Sequence, residues 1–309
     1  MRTQLSSSPY DPAKGAMKRT PVMVLAYNEE RHIRACLDSI FAAEDGMRFE
    51  VYVMANGCTD ATEEIVRQYA AHRPEVHLVS IRLGDKCNAW NVFIHDTVPA
   101  HCPEREVYFF MDGDARAVPG SFGVMARALA EDEYAHAASA PPASGRNLAH
   151  DRAELLEDRG LVANLYALRG SFVKRLQGMG VRIPLKLEGD DGLIGALIKW
   201  DLAPERQGFD HGRIVPCPTA GFEFEPVSPW RARNWLSYWR RAVRYGRRRY
   251  EFQLLGPVLK AGGVSALPSD ITSLYGGAAR LRLQWQGLYT VTNLVALREM
   301  RRISLARSA

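Results

Sequence analysis

The sequence predicts an α/β fold in which a mostly parallel sheet is flanked by helices and followed by a helical C-terminal region. Two observations lead to this expectation. The first half of the chain alternates short apolar runs with segments of helical period, an order that is typical of right-handed βαβ units. From residue 226 onward arginine and tryptophan become frequent, and no acidic residue occurs before Glu251.

The strand–helix alternation starts at residue 21. "PVMVLA" (21–26) predicts the first strand, and "NEERHIRACLDSIFA" after it predicts a helix with Asn28 as its N-cap, because asparagine accepts hydrogen bonds from the first N–H groups of a helix. "FEVYVMA" (49–55) predicts the second strand, and the next helix follows Asp60. A third strand is predicted at 76–81.

The remaining elements are predicted from the same patterns. A third helix is expected at 86–97, and "EVYFFM" (106–111) predicts a fourth strand. The stretch at 138–147 is rich in Pro, Gly and Ser, which predicts a loop. Helical character resumes at 152–168 and again at 190–200.

This organisation divides the chain into three parts. Residues 1–20 are polar and lack the apolar segment of a secretion signal, so we expect a disordered tail. Residues 21–221 would form the α/β domain. Residues 222–309 would form a basic, amphipathic helical region.

Composition narrows the location and the partners. The chain has no apolar run of the roughly 18 residues that a membrane-spanning helix needs. Its five cysteines show no CxxC spacing, which argues against a zinc site or a disulfide framework and is typical of the reducing cytoplasm. The net charge of +5 favours an anionic partner. We therefore expect a cytoplasmic protein.

The fourth predicted strand ends in two aspartates separated by one glycine. Residues two apart in an extended segment point to the same side, so Asp112 and Asp114 should project together at the edge where open α/β sheets bind ligands. Gly113 would let the backbone turn. Neighbouring carboxylates repel, and Mg²⁺ combines one or two carboxylates with phosphate oxygens. The pattern indicates a metal–diphosphate site, with a solvated turn as the alternative.

Four motifs follow the four predicted strands in order: "AYNEE", "NGCTDAT", "GDKCNAWN" and "DGD". Together they resemble the family-2 glycosyltransferases, over residues 21–250. Members of that family share the GT-A fold, a Rossmann-like α/β arrangement. The resemblance implies an enzyme that moves a sugar from a nucleotide-diphosphate sugar, of the UDP or GDP type, to an acceptor hydroxyl. It also implies Mg²⁺ or Mn²⁺ as the cofactor.

The resemblance implies a donor site in which tyrosine stacks on a base and lysine places a point charge beside phosphate. Asp112 would approach the ribose and the metal, and Asp114 would bind the metal directly. Relatives usually carry Asp-Asp or Asp-Asn after the second strand where this chain has Ala55-Asn56, and an amide can still read a base edge. The implied donor residues are Ala26, Tyr27, Glu29, Asn56, Lys86, Asp112, Gly113 and Asp114.

A general base is expected in "LKLEGDDGLIGALIKW" (185–200), where three acids precede a helix. In the family a Glu-Asp pair opens a helix in this place, and its aspartate deprotonates the acceptor hydroxyl. The resemblance implies Asp191 as the base, with Asp190 and Glu188 as alternates and helix capping as the other explanation. His211 is a further candidate metal ligand, although a lone loop histidine is more often polar surface.

The C-terminal region adds a cluster of cations. "RAVRYG" (241–246) falls where relatives carry Gln-x-x-Arg-Trp, so the resemblance implies that Arg244 binds donor phosphate and that Tyr245 stacks on the acceptor sugar. The replacement of the relatives' Gln by Arg241 and of their Trp by Tyr245 argues against a processive synthase. "WRARNWLSYWRRAVRYGRRRY" has eight arginines and no acid, which favours contact with an anionic membrane. A helix docked on the core is the alternative, and no nucleic-acid-binding module is visible.

We interpret the chain as a metal-dependent, inverting, non-processive glycosyltransferase in polysaccharide, glycolipid or glycosylated-metabolite synthesis. Its acceptor would be a sugar, a lipid-linked molecule or a small molecule. A nucleotidyltransferase on a similar sheet is one alternative, but it would need a Gly-rich phosphate loop that "AYNEERH" lacks. A non-catalytic nucleotide- or membrane-binding module is the other, and it would not need the acids at 188–191.

Overall fold

The computed structural model describes residues 19–43, 46–145, 148–225, 235–283, 285–287 and 289–308. Within these ranges the predicted α/β architecture is confirmed: strands and helices alternate in the first half, and long helices follow. The strands are β1 (Thr20–Ala26), β2 (Phe49–Asn56), β3 (Val76–Ile81), β4 (Val107–Asp112), β5 (Ala115–Ala117), β6 (Ala137–Ser139), β7 (Leu165–Arg169), β8 (Ile214–Pro216) and β9 (Phe222–Phe224).

The helices surround the sheet and then extend beyond it. A π-helical turn at Phe93–Thr97 joins the third and fourth helices, and a 3-10 segment at Ile271–Arg280 joins the last two. The helices are α1 (Ile33–Ala42), α2 (Thr62–His72), α3 (Lys86–Val92), α4 (Val98–His101), α5 (Ser121–Glu131), α6 (Leu148–Asp158), α7 (Gly170–Gly178), α8 (Asp190–Lys199), α9 (Trp235–Gly262) and α10 (Tyr289–Ser308).

The described strands assemble into a seven-stranded sheet in the order β3-β2-β1-β4-β7-β6-β8, and β5 pairs with β9 separately. β3, β2, β1 and β4 are parallel, whereas β7 lies antiparallel between β4 and β6. β2 and β3 lie on one side of β1, whereas β4 lies on the other, so the strand order reverses at β1. In open α/β sheets the carboxyl ends of the strands at such a point form the ligand crevice. Here these ends are Ala26 and Asp112.

Both faces of the sheet are covered, which explains why its parallel strands are apolar on both sides. Val22 and Val24 belong to one buried cluster, which α1, α2 and α5 complete. Met23 points the opposite way and belongs to a second cluster. That second cluster also contains Tyr250 from α9 and Leu297 from α10. The C-terminal helices therefore share a core with the sheet.

The predicted cap of the first helix is wrong. Asn28 has a positive φ of 57°, and its Oδ1 accepts a hydrogen bond from the Thr59 N–H (2.7 Å). The helix begins only at Ile33. Asparagine tolerates the left-handed conformation, so this side chain connects the two loops that follow β1 and β2.

Two strands occur where other structure was predicted. The predicted loop at 138–147 begins within β6, and the predicted helix at 152–168 ends in β7. β6 consists of small residues that are buried, so its composition resembles that of a loop. β7 is a short apolar run, which periodicity alone does not distinguish from a helix. β7 is a strand because it pairs with β4, and β6 is a strand because it pairs with β7.

The predicted domain boundaries are only partly within the described ranges. Residues 1–18 of the predicted tail lie outside them, and Thr20 already belongs to β1. The boundary near residue 222 stays a prediction: β9 pairs with β5, and residues 226–234 lie outside the described ranges. Among the helices that are described, none combines the length and apolarity that a membrane span requires.

Gly170, at the junction of β7 and α7, has no room for a side chain. A β-carbon there would lie 1.7 Å from the Arg105 carbonyl oxygen. We expect Gly170→Ala to lower the free energy of unfolding, measured in urea, by about 3 kcal/mol, because overpacking forces the backbone to shift. Gly123→Ala on α5, where nothing lies within 4 Å, is the control and should raise it by about 1 kcal/mol. Equal stabilities of the two variants would contradict this account.

Candidate active site

A cleft of 540 Å³ lies at the carboxyl edge of the sheet, where β1 and β4 end. One wall consists of strand ends and loops from the first half of the chain, and the other consists of segments after residue 185. Residues that were not predicted also line it, among them Asp85, Lys186, Arg247 and Tyr275. The predicted site residues that line it are Tyr27, Glu29, Asn56, Lys86, Asp112, Gly113, Asp114, Glu188 and Arg244.

The two aspartates of "DGD" reach the cleft because β4 ends beside β1. The Gly113 N–H donates a hydrogen bond to the Leu25 carbonyl (2.8 Å), and a β-carbon on Gly113 would lie 2.9 Å from the same oxygen. The glycine is therefore required by the close approach of β1 and not by the turn itself. Asp112 is half-buried and Asp114 is exposed.

Lys86, the first residue of α3, compensates carboxylates on both sides of the site. Its Nζ lies 3.2 Å from Oδ1 of Asp112 and 3.6 Å from Oδ2 of Asp190. Burial alone would lower the pKa of Lys86, but Asp112, Asp190 and Asp191 together raise it above its ordinary value. The ammonium group therefore stays protonated, and its ion pairs connect the end of β4 with the start of α8.

Negative charge nevertheless remains in excess at the end of β4. Burial raises the pKa of Asp112 to about 6, with Lys86 opposing the rise and Asp114 adding to it. Burial also raises the pKa of Glu29, and repulsion from Asp114 and Asp112 contributes. A group of oxygen ligands with surplus negative charge is what Mg²⁺ and Mn²⁺ bind.

The donor set at the end of β4 fits a divalent cation whose other ligands are phosphate oxygens and water. Asp112 and Asp114 supply two carboxylates on one side of the cleft. Mg²⁺ typically takes one or two protein carboxylates together with substrate phosphates. Within the described part of the chain, no group of three or more His, Cys, Asp or Glu residues could hold a metal ion by itself.

One side of the cleft is built by the loops after β1, β2 and β3. Tyr27 is 56% exposed, so its ring is accessible to a ligand and is not part of the core. Asn56 is buried, and its Oδ1 accepts a hydrogen bond from the Asp85 N–H (2.9 Å), which leaves its NH₂ group for a ligand. Asp85 Oδ2 in turn accepts from the Lys186 N–H (2.7 Å). This chain of contacts connects the two walls.

The predicted acids lie at 188–191, across the start of α8; this segment is called the acid loop below. Gly189 has a φ of 87°, a left-handed conformation that favours glycine, and α8 begins at Asp190. The carboxylate of Asp191 is paired with Nη1 of Arg248 (3.2 Å). A β-carbon on Gly189 or on Gly192 would lie 2.5 or 2.7 Å from the Arg248 side chain. The two flanking glycines therefore make room for this guanidinium.

The three acids of the loop differ in their surroundings. Glu188 lines the cleft, whereas Asp190 and Asp191 do not. Burial raises the pKa of Asp191, with Arg248 opposing, and burial likewise raises the pKa of Glu188 against the attraction of Arg247. A carboxylate with a raised pKa is a better proton acceptor near neutral pH.

α9 supplies the part of the second wall that the sequence analysis largely missed. Arg244, Arg247, Arg248 and Glu251 recur at spacings of three and four, so they share one face of the helix. Arg247 Nη1 lies 3.3 Å from Oε1 of Glu188, and Arg244 lines the cleft. Only Arg244 was predicted to take part. Helical spacing from Arg244 is the signal that could have identified the others.

Five predicted site residues do not line the cleft: Asp190 and Asp191 of the acid loop, and three that lie elsewhere. Ala26 is buried beneath the "DGD" motif. The Tyr245 hydroxyl accepts a hydrogen bond from Nε of Arg241 (2.9 Å) on an exposed part of α9. His211 Nδ1 contacts the Asp158 carbonyl (2.8 Å). The structure does not bring His211 to the aspartates, so the prediction of a third metal ligand there is not carried further.

Comparison with known proteins gives the family. Residues 22–180 match the model of glycosyl transferase family 2. The chain is similar to the mannosyltransferase PcManGT from Pyrobaculum calidifontis in complex with GDP-Man and Mn²⁺, at 20% identity and a TM-score of 0.57, over 96% of this chain and 90% of that chain. No curated protein matches.

A second solved structure is similar over a smaller part of the chain. Glucosyl-3-phosphoglycerate synthase from Mycobacterium tuberculosis, in complex with phosphoglyceric acid, is 20% identical over 77% of this chain and 80% of that chain, with a TM-score of 0.50. These likenesses show the GT-A fold. Because the family match spans more than half of the chain, the protein belongs to glycosyl transferase family 2 and is a glycosyltransferase.

Proposed function

We propose that the protein transfers a sugar from a nucleotide-diphosphate sugar, of the UDP or GDP type, to an acceptor hydroxyl, with Mg²⁺ or Mn²⁺ as cofactor. The observation that carries the proposal is that donor residues from all four motifs line one cleft. The acid loop stands opposite them and supplies candidates for the base. The similar mannosyltransferase, which was solved with GDP-Man and Mn²⁺, supports this class of donor and cofactor.

The residues of the cleft take complementary roles in binding the donor. Tyr27 stacks on the base, and the Asn56 NH₂ group donates a hydrogen bond to the base or ribose. Asp112 and Asp114 would hold the cation, which when bound neutralises charge on the departing diphosphate. Arg244 is exposed on α9 and binds a phosphate oxygen from the opposite wall.

We assign the general base to the acid loop, with Asp191 as the residue that accepts the proton of the acceptor hydroxyl. The sequence resemblance aligns Asp191 with the family's aspartate, and burial raises the pKa of Asp191. A base that acts on the side of the anomeric carbon opposite the leaving diphosphate would give a single displacement with inversion. Both aspartates are paired with a cation, Asp190 with Lys86 and Asp191 with Arg248, so the choice of Asp191 rests on the sequence resemblance to the family.

The start of α9 is proposed to contact an anionic membrane. Val243 and later residues of its apolar face are buried, but Trp235, Leu236 and Trp239 at its beginning are exposed (67%, 54% and 44%). The exposed Arg241 lies beside them. Aromatic residues with arginines on one helix end favour the interface of an anionic bilayer.

The donor and cofactor are tested by measuring the melting temperature of the protein with UDP, with GDP and with their nucleotide sugars, each with and without Mn²⁺. One nucleotide class should raise the melting temperature only with Mn²⁺, because a ligand that binds the folded state at about 100 times its Kd stabilises it by about 2.7 kcal/mol. Asp114→Ala should remove this rise, and Asp151→Ala on the exposed surface of α6 should not. A Mn²⁺-dependent rise that persists in Asp114→Ala would contradict the metal assignment.

The base is tested by separating donor binding from transfer. Asp191→Asn should leave the donor-induced rise in melting temperature intact and lower the transfer rate by about 100-fold or more, since general base catalysis contributes that much. Asp190→Asn should also weaken donor binding, because Asp190 shares Lys86 with Asp112. Wild-type transfer by Asp191→Asn together with inactive Glu188→Gln would move the base to Glu188.

Membrane contact is tested by co-sedimentation with vesicles. The protein should bind vesicles of equal parts phosphatidylglycerol and phosphatidylcholine, and binding should fall at high salt because charge attraction is screened. Trp235→Ser combined with Trp239→Ser should reduce binding. Equal binding to vesicles of pure phosphatidylcholine would show that the arginines do not contribute.

A further inference from the structure

Glu251 on α9 is an acid that the proposed mechanism does not use. It is fully buried. It contacts Glu188 of the acid loop, which is 63 residues away in sequence. Its Oε2 accepts a hydrogen bond from the backbone N–H of Glu188 (2.8 Å). Its Oε1 accepts one from the Tyr275 hydroxyl (2.5 Å). The carboxylate thus joins α9, the 3-10 segment and the acid loop.

The groups around Glu251 come from each element packed against it. Glu188 precedes α8, Arg247 lies one turn earlier on α9, and Tyr275 belongs to the 3-10 segment. Glu299 on α10 acts through Arg247, which donates to it. Burial raises the pKa of Glu251 to about 7, against the hydrogen bonds from Tyr275 and the Glu188 backbone and against Arg247.

We propose that Glu251 is a positioning residue: its carboxylate holds the backbone of Glu188 and so orients the acid loop toward the cleft, and protonation of Glu251 loosens the loop. This inference rests on the proposed function, in which the acid loop carries the base. Glu188 immediately precedes Gly189, the left-handed residue before the first residue of α8. A fixed hydrogen bond at this point sets the direction in which the following aspartates leave the loop.

The buried carboxylate of Glu251 is retained at a cost to stability. Because the pKa of Glu251 in the folded protein lies above its ordinary value of 4.5, the folded state binds this proton more tightly than the unfolded chain. The stabilising contribution of the group is therefore fully present below pH 4.5 and is lost as the pH rises through about 7. A charge whose burial opposes folding is better explained by an effect on the site than by an effect on stability.

The test uses Glu251→Gln, which keeps the shape and an acceptor oxygen but cannot titrate. In the wild type, hydrogen-exchange protection of peptides from 185–192, corrected for intrinsic exchange, should fall as the pH decreases through about 7. In Glu251→Gln it should stay at the low-pH level throughout. Tyr275→Phe should move the wild-type transition to higher pH, because it removes a hydrogen bond that lowers the pKa of Glu251.

Two further measurements separate positioning from folding. Glu251→Gln should raise the melting temperature at pH 8, since it removes a buried charge. With GDP-mannose or UDP-glucose and Mn²⁺, the same variant should lower kcat by about 10-fold with the donor KM unchanged, because a charge-assisted hydrogen bond contributes on that order. Glu131→Gln, an exposed acid-to-amide change on α5, should alter neither the exchange profile nor the rate.

The outcomes distinguish this inference from the proposed function. If the wild type transfers no sugar from either donor while the exchange profiles follow the expectation, the proposed function fails and the positioning role stands. If exchange in the acid loop is independent of pH in the wild type, or if Glu251→Gln keeps the wild-type profile and kcat, the positioning role is overturned.

Discussion

The structure depends on how negative charge is compensated at the carboxyl edge of the sheet. The end of β4 and the start of α8 bring Asp112 and Asp190 within ion-pair distance of the same cation, Lys86. Lys86 reaches both because α3 begins at the same edge, after β3. The pairing joins two walls of the cleft that come from distant parts of the chain. The negative charge that Lys86 does not neutralise faces the cleft, where we propose that a cation and a diphosphate bind.

The second wall has a different origin from the first. The family match ends at residue 180, so the acid loop and α9 both lie beyond it. One face of α9 contributes Val243 and Tyr250 to the core that underlies the sheet, and another face directs Arg247 and Arg248 onto the acid loop. A helix held by apolar contacts along one stripe can keep the charged groups of the adjoining stripe at fixed distances.

Several acids of this site make the folded protein less stable than neutral groups would. Burial raises the pKa of Asp112 to about 6 and that of Glu251 to about 7. Each raised pKa means that ionisation opposes folding above the group's ordinary pKa. Charged groups of this kind cluster at functional sites, and here both lie in or directly beside the cleft.

The sequence by itself determined the parallel half of the sheet and the wall of the cleft that the strand ends form. The predicted limits of β1 to β4 agree with the observed ones to within one residue, because parallel strands buried on both faces are continuous apolar runs. The carboxyl ends of such strands meet at one edge, so motifs at those ends had to come together. Tyr27, Asn56 and the "DGD" aspartates line the cleft for this reason.

Tertiary structure alone decided the rest. β6 and β7 have no local signal that separates them from a loop and a helix, and only pairing with β4 and with each other defines them. The arginines of α9 are chemically identical. Helical spacing groups Arg247 and Arg248 with Arg244, but the sequence does not say that this face meets the acid loop. The face on which α9 docks decides which arginines reach the acid loop. This docking joins segments far apart in the chain, as the contact between Glu251 and Glu188 shows.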